Sequence, residues 1–209
     1  MIWWPEESPT LQSGTVTMRP MRPSDAEDIY RAAQDPTIPK FTTLPENYPL
    51  ELAIEFAGKR AAASFTNKTE LVFVVEDSRL GQNSGSNSGS NSGSNSGSNV
   101  IYYPYSNNFA GVMSLHSIDI PNHRAEIGYW LAKEARGFGI CTKAAEMITE
   151  FGLMTMGFMR VDGIVDVRNE PSKKALLNAG YEFEGIMKNY VTRRDGGQLD
   201  MALFAATKQ

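Results

Sequence analysis

Cysteine and histidine are scarce in this chain: its 209 residues include one cysteine and two histidines. A single cysteine, Cys141, excludes an intrachain disulfide, so a reducing cytoplasm is the simpler expectation. The histidines, His116 and His123, are isolated. Because a metal site needs three or four clustered ligands, the sequence predicts no metal site.

An excess of positive charge and long apolar runs are also missing. The formal net charge is −4, which argues against a nucleic-acid binder that works by charge alone, because phosphate backbones demand concentrated Lys and Arg. No stretch reaches the roughly 18 apolar residues that span a bilayer. The N-terminus lacks the basic region and the apolar run of a secretory signal. We therefore expect a cytoplasmic protein with no nucleic-acid or membrane partner.

Apolar residues are nevertheless plentiful, at 41% of the chain, which is a globular composition. We predict an N-terminal extension over residues 1–14 and a single domain over residues 15–206. A repeat of Asn, Ser and Gly interrupts this domain at about residues 82–99. The repeat has almost nothing to bury, so we predict a disordered surface loop there.

Strand patterns and helix patterns alternate along the predicted domain. Strand patterns cover residues 15–20, 71–75, 109–118, 125–131, 160–166 and 199–204, and helix patterns begin near Ser24, Leu50, Ile140 and Asn169. Residues 36–49 hold four prolines and are predicted to be a loop between two helices. The alternation predicts an α/β domain with a mixed central sheet and helices on both faces.

The stretch from Ala125 to Ala145 combines a short apolar strand, a loop with two glycines and a helix. Gly137 and Gly139 allow backbone N–H groups of the loop to approach a ligand closely. The free N–H groups and the dipole at the start of the following helix favour an anion. This arrangement is one way in which proteins hold a phosphate.

A second informative segment runs from Asn169 to Gly185. Asn169 can cap a helix, and Gly180 is placed to end it. Tyr181 then begins another predicted strand.

These two segments resemble the GNAT N-acetyltransferases, and more narrowly their RimJ/RimL-type branch. Residues 136–141 resemble the R/Q-x-x-G-x-G/A loop that binds the acyl-CoA pyrophosphate, with Cys141 in place of the last Gly or Ala. Residues 169–185 resemble the N-x-x-S-x-x-x-L-x-x-x-G-F/Y-x-x-E-G segment of that family. The resemblance covers about Thr15 to Phe204. It implies a GNAT fold of α/β (α+β) class, with a mostly antiparallel sheet of about six or seven strands.

The resemblance implies transfer of an acetyl group from acetyl-CoA to a primary amine, with no metal. The first choice of acceptor is a protein N-terminal α-amino group of the ribosomal-protein type. A small-molecule or antibiotic acetyltransferase and a catalytically silent CoA-binding regulatory domain are the alternatives. In this family the region of residues 36–49 helps to form the acceptor wall. Whether the protein is a monomer or a homodimer stays open.

The resemblance also implies the residues that bind the coenzyme. Backbone N–H groups at the end of the strand would meet the thioester oxygen, and the loop would hold the pyrophosphate. Asn169 would bond the pantetheine or cap its helix, and Lys173 would face the nucleotide phosphates. The full predicted set is Leu131, Ala132, Lys133, Arg136, Gly137, Phe138, Gly139, Ile140, Cys141, Thr142, Asn169 and Lys173.

Two residues are predicted to move protons. Glu126 is a carboxylate in an otherwise apolar strand, on the face shared with Gly128 and Trp130, and it is the candidate base. Its alternative is a structural carboxylate bonded to a neighbouring side chain or to Arg124. The acid is either Ser172, which matches the serine of the RimJ/RimL-type branch, or Tyr181.

Cys141 begins the central helix, where a thiol pKa is lowered. A mixed disulfide with CoA and a covalent acetyl-cysteine route are therefore open. A small buried residue in place of Gly or Ala is the simpler interpretation, so direct transfer in a ternary complex is favoured.

Overall fold

The computed structural model describes residues 2–81, 105, 108–193 and 196–208. The predicted repeat loop at residues 82–99 lies outside the described residues. Eight strands form one sheet. They are β1 Leu11–Ser13, β2 Val16–Pro20, β3 Leu71–Asp77, β4 Phe109–Asp119, β5 Arg124–Leu131, β6 Arg160–Asp166, β7 Glu182–Thr192 and β8 Gln198–Thr207.

The strand order is β1-β2-β3-β4-β5-β6-β8-β7, and every neighbouring pair is antiparallel except β5 with β6. The predicted mixed sheet is therefore confirmed, but with eight strands instead of six or seven. The additional strand is β1, which lies within the predicted N-terminal extension. It forms because Gly14, at φ +59°, turns the chain back so that Leu11 pairs with Met18.

Six α-helices accompany the sheet in the described ranges. They are α1 Ala26–Ala33, α2 Thr37–Phe41, α3 Leu50–Glu55, α4 Ala61–Thr66, α5 Ile140–Glu150 and α6 Glu170–Asn178. A π-helical stretch, Phe56–Arg60, joins α3 to α4, and another, Phe151–Met156, extends α5 to Gly157. None of the described helices is long and apolar enough to cross a membrane.

Helices cover both faces of the sheet, as predicted. Leu115 of β4 and Ile127 of β5 are register partners. Leu115 lies against Gly152 in the extension of α5, and Ile127 approaches Gly163 beside Leu176 of α6. The opposite face carries α1 and α3. Residues 36–49 were predicted to be a loop, but α2 forms within them.

The two parallel strands separate soon after they meet. Only Arg124, Ala125 and Glu126 of β5 pair with β6, although both strands continue for several residues. The space between residues 127–131 of β5 and residues 163–166 of β6 is called the cleft below. Backbone groups along the cleft lack the strand partner that an interior position of a sheet normally provides.

Candidate active site

Six consecutive backbone N–H groups have no acceptor in the described part of the chain where β5 leads into α5. They belong to residues 137–142, and the first donor beyond them is Lys143, bonded to Gly139 O at 3.1 Å. Gly137 and Gly139 have φ values of +86° and +75°, a left-handed conformation that glycine adopts without steric cost. Such a row of amides at a helix start is a site for a phosphate group.

Two arginines fix this loop and the end of β5 by donating to backbone carbonyl oxygens. Arg79 donates to Phe138 O at 3.1 Å, and Arg136 donates to Leu131 O at 2.8 and 3.1 Å. Arg136 also binds Asp35 at 2.7 Å and Thr37 at 2.9 Å. Since its guanidinium is occupied by protein acceptors, Arg136 positions the loop instead of offering a free charge to a phosphate.

The end of β5 directs backbone groups into the cleft. Ala132 N donates to Ala110 O at 2.9 Å, and in an antiparallel pair such hydrogen-bonded positions alternate with positions that point to the other side. The N–H groups of Tyr129 and Leu131 therefore point toward β6, beyond the residues that β6 pairs. Leu131 N–H thus points into the cleft, and its role as an oxyanion donor stays a prediction.

Ala132 is a correction to the predicted donor set. Its N–H is already consumed by β4, so it cannot also serve a ligand in the cleft. Lys133 is exposed, and its N–H has no acceptor among the described residues. The candidate donors are therefore reduced to Leu131 and Lys133.

Glu126 lies half-buried on the face of β5 opposite α5 and α6. Burial raises the pKa of its carboxyl group above the ordinary 4.5, nearby Asp162 raises it further, and His116 and Ser117 oppose the shift. Arg124 binds Asp119 at 3.1 Å, so the predicted bond between Glu126 and Arg124 is not present, whereas Ser117 is a neighbouring side chain that interacts with the Glu126 carboxylate. A carboxyl group in this environment can exchange a proton closer to neutral pH.

Ser172 stands in the first turn of α6, on the other face of β5. Asn169 caps this helix, as predicted, by accepting from Ser172 N at 3.3 Å. The Ser172 hydroxyl lies 2.7 Å from the hydroxyl of Tyr129. Tyr129 was not among the predicted site residues.

Tyr181, the competing acid candidate, is a core residue. It is 2% exposed, and its hydroxyl lies 2.6 Å from the hydroxyl of Thr149. Ser172 is therefore the acid candidate that the geometry favours.

Lys173 and Cys141 also differ from expectation. The ammonium group of Lys173 binds Val167 O at 2.9 Å and Glu170 at 2.6 Å, so it does not project freely toward a phosphate. Burial raises the pKa of the Cys141 thiol to about 12, opposite to the lowering predicted from the helix start. A thiol in this state is a poor nucleophile at neutral pH, which disfavours the covalent route.

Three residues that matter at this site were missed by sequence reasoning. They are Tyr129, Arg79 and His116, the last of which is the register partner of Glu126. The hairpin pattern alone did not identify His116, because the register set at the turn by Asp119 and Arg124 shifts by one residue before it reaches His116 and Glu126. No group of three or more metal-ligating side chains occurs in the described ranges.

A cavity of about 290 Å³ opens on the Glu126 face of the sheet. Trp130, two residues from Gly128 on that face, forms part of its wall. Most of its lining is apolar or aromatic, and one acidic and one basic residue also line it. The lining residues are Ile29, Thr43, Leu44, Pro45, Tyr48, Leu52, Glu55, Phe56, Arg60 and Trp130.

This geometry agrees with what comparison with known proteins finds. A sequence model described as the acetyltransferase (GNAT) domain matches residues 15–182. The uncharacterized N-acetyltransferase p20 of Bacillus licheniformis is 29% identical over 99 residues, which are 47% of this chain and 55% of p20. The chain thus spans about half the length of that relative.

Two solved structures share the fold along almost the whole chain. RimL, the ribosomal L7/L12 α-N-protein acetyltransferase in complex with coenzyme A, has a TM-score of 0.75 at 16% identity and covers 95% of this chain and 98% of its own. The microcin C7 self-immunity acetyltransferase MccE, in complex with acetyl-CoA and AMP, has a TM-score of 0.71 at 20% identity and covers 94% of each chain. Because the domain model matches most of the sequence, this chain belongs to the GNAT acetyltransferase family.

Proposed function

We propose that this protein transfers an acetyl group from acetyl-CoA to a primary amine, with a protein N-terminal α-amino group as the preferred acceptor. The row of amides at residues 137–142, directly beyond the open edge of β5, is the observation that carries this proposal. A pyrophosphate on these amides would let the attached pantetheine extend along the cleft. RimL and MccE, which were solved with coenzyme A and acetyl-CoA, support the choice of coenzyme.

The residues around the cleft can divide the chemistry between the two faces of β5. On one face, Glu126 is the group that finally holds the proton lost by the amine. The N–H groups of Leu131 and Lys133 donate to the oxygen that becomes negative in the transition state. Ser172 on the other face donates a proton to the departing thiolate.

The cavity beside Trp130 favours an apolar acceptor group over a polycation. Its lining includes one carboxylate, Glu55, and one guanidinium, Arg60, which lies 5.3 Å from the centre of the Phe56 ring. A polyamine or an aminoglycoside carries several positive charges and demands several carboxylates. The lining instead suits the side chain of an apolar residue next to the reacting amine.

An acceptor screen tests this assignment. Free thiol release from acetyl-CoA is measured with ribosomal-protein N-terminal peptides, polyamines and aminoglycosides. Peptides that begin with Leu or Phe are expected to exceed matched peptides that begin with Gly by about 10-fold or more in kcat/KM, because burying such a side chain yields about 1.5–3 kcal/mol. Faster turnover of spermidine or an aminoglycoside than of every peptide would contradict the preferred acceptor.

A matched pair of variants on α3 locates the acceptor. Leu52 lines the cavity and is 39% exposed, whereas Ile54, at 55% exposed, does not line it. Leu52→Asn is expected to lower kcat/KM for the apolar peptide by about 5-fold through lost apolar contact, and Ile54→Asn to leave it unchanged. Equal effects of the two changes would place the acceptor elsewhere.

The contact between Ser172 and Tyr129 leads to a separate prediction. Ser172→Ala is expected to lower kcat about 100-fold, the lower end of general acid–base effects, with the KM for acetyl-CoA little changed. Tyr129→Phe alone should lower kcat about 10-fold. In the Ser172→Ala background it should lower kcat no further, because the two hydroxyls act as one unit.

Tyr181→Phe is the control for this cycle, since it removes another buried tyrosine hydroxyl that contacts Thr149 instead. It is expected to leave kcat within about 2-fold. Additive effects of Ser172→Ala and Tyr129→Phe would remove Tyr129 from the mechanism.

A CoA-binding regulatory domain is the second candidate. It is favoured only if the protein binds CoA and releases no thiol with any amine of the screen. The half-buried Glu126 beside the cleft argues for the enzyme, because a domain that only binds the coenzyme has no use for a carboxyl group with a raised pKa at that place.

A further inference from the structure

We propose that His116 is the group that takes the proton from the acceptor amine, and that Ser117 passes it on to Glu126. This inference rests on the proposed acetyl transfer and adds two residues to its machinery. It is carried by the arrangement of β4 and β5 on the face that also bears the acceptor cavity.

The imidazole of His116 lies across β5 between Glu126 and the cavity. His116 and Glu126 are register partners. A Cβ atom placed on Gly128 would lie 2.7 Å from His116 Nε2, so the ring covers Gly128. Trp130, the next residue along this face, lines the cavity. The ring therefore stands on the path that an amine held in the cavity takes toward Glu126.

Ser117 is turned to the same side by a break in the strand. In a regular strand, neighbouring residues point to opposite faces. Here the register between β4 and β5 shifts after His116, and Ser117 has φ +50°, a conformation rare for residues other than glycine. The result is a distance of 2.9 Å between Ser117 Oγ and His116 Nδ1. Bulges that re-aim a side chain are frequent next to active sites.

The three side chains form a chain of hydrogen-bonding groups. Ser117 also interacts with the Glu126 carboxylate, and this interaction opposes the burial that raises the Glu126 pKa. Within the described residues His116 Nε2 has no hydrogen-bond partner, and the ring is partly exposed. One ring nitrogen is thus anchored, and the other is open to a ligand.

The charges that face this group are few. Asp162 of β6 acts on Glu126 from the neighbouring strand, and Arg160 pairs with Asp162. Arg160 also binds Glu184 from the side of β7. Glu126 is thus the carboxylate that acts directly on the imidazole, and a negative charge there suits a group that must become a cation for an instant.

The proton balance closes without any additional reactant. The lone pair of neutral Nε2 takes a proton from the ammonium form of the acceptor and leaves a neutral amine. Nδ1–H donates its proton to Ser117 Oγ, and the Ser117 hydroxyl gives its own proton to the Glu126 carboxylate. The imidazole is neutral again, and Glu126 holds the proton.

Kinetics of paired histidine variants test the role. His116→Gln is expected to lower kcat about 100-fold, the size of a general-base effect, without changing the KM for acetyl-CoA. Ser117→Ala should lower kcat about 10-fold and change the pH profile. His123→Gln, at the only other histidine, is the control and should match the parent. A His116→Gln variant within about 2-fold of the parent at every pH would overturn the proposal.

Proton NMR of the two histidines tests the chain of groups without any turnover. The His123→Gln variant assigns the remaining ring resonance to His116. The chemical shift of that resonance should change in both Glu126→Gln and Ser117→Ala, because both changes remove a partner of the imidazole. An unchanged chemical shift in both variants would overturn the relay, whereas a response to both changes in a protein that acetylates no amine would overturn the proposed function instead.

Discussion

Replacing Glu126 with glutamine is expected to lower kcat by about 1000-fold, within the range of a general base, while coenzyme A binds as tightly as before. The change keeps the size of the side chain and removes its ability to accept a proton. Glu126 lies on the face of β5 away from α5 and α6, so the amides of residues 137–142 stay in place. Steady-state kinetics and calorimetry together separate these two effects.

The pH dependence of this reaction has a definite sign. Burial, and then Asp162, raise the pKa of Glu126 above 4.5, so this carboxyl group gains its charge at a higher pH than an exposed glutamate. The rate of acetyl transfer should therefore rise with pH, and the midpoint of this rise should lie above the pKa of an ordinary glutamate. Asp162→Asn removes a neighbouring negative charge and should move this midpoint to lower pH.

Glu150→Gln is the control for the first substitution, because Glu150 is exposed at the end of α5. It should leave kcat unchanged. A Glu126→Gln variant that retains more than about a third of the parent kcat would show that the carboxylate is structural.

Substituting both glycines of the loop should weaken coenzyme binding most. A Cβ atom added at Gly137 or Gly139 would enter open space, so their positive φ angles, and not crowding, require glycine. A left-handed conformation costs an L-residue roughly 1–2 kcal/mol. Gly137→Ala/Gly139→Ala should therefore raise the Kd for coenzyme A by about 30-fold or more, either through this cost or because the amides turn away.

Gly180→Ala is the matched control for the loop variant. Gly180 has φ +87° and equally open surroundings, but it lies at the end of α6. As a single change, it should lose about half as much stability in thermal unfolding as the double loop variant, since the cost is roughly 1–2 kcal/mol per residue, and it should bind coenzyme A normally. Equal loss of binding in both variants would mean that stability, and not the loop amides, controls binding.

The parts of the site that depend on local sequence could be predicted. The loop conformation follows from Gly137 and Gly139, and the cap on α6 follows from Asn169, because each needs only a few neighbouring residues. The face shared by Glu126, Gly128 and Trp130 follows from strand alternation. These are consequences of chain geometry over one or two turns.

The parts that depend on distant partners could not be predicted. The guanidinium of Arg136 is consumed by Asp35 and Thr37, about a hundred positions earlier in the chain. The N–H of Ala132 is consumed by Ala110, which only the strand register reveals. Sequence patterns identify a donor but do not tell which acceptor reaches it first.

The prediction for Cys141 failed for a different reason. The dipole of a helix start lowers a thiol pKa, but burial raises it, and here burial is the larger effect. His116 was missed because the bulge at Ser117 has no simple sequence signature.

Hydrogen exchange with and without coenzyme A tests the central claim most directly. If main-chain amides hold the pyrophosphate, hydrogen exchange at residues 137–142 should slow when the coenzyme is added. Exchange at the residues that line the cavity beside Trp130 should stay unchanged. Absence of binding, or protection that omits residues 137–142, would contradict the account.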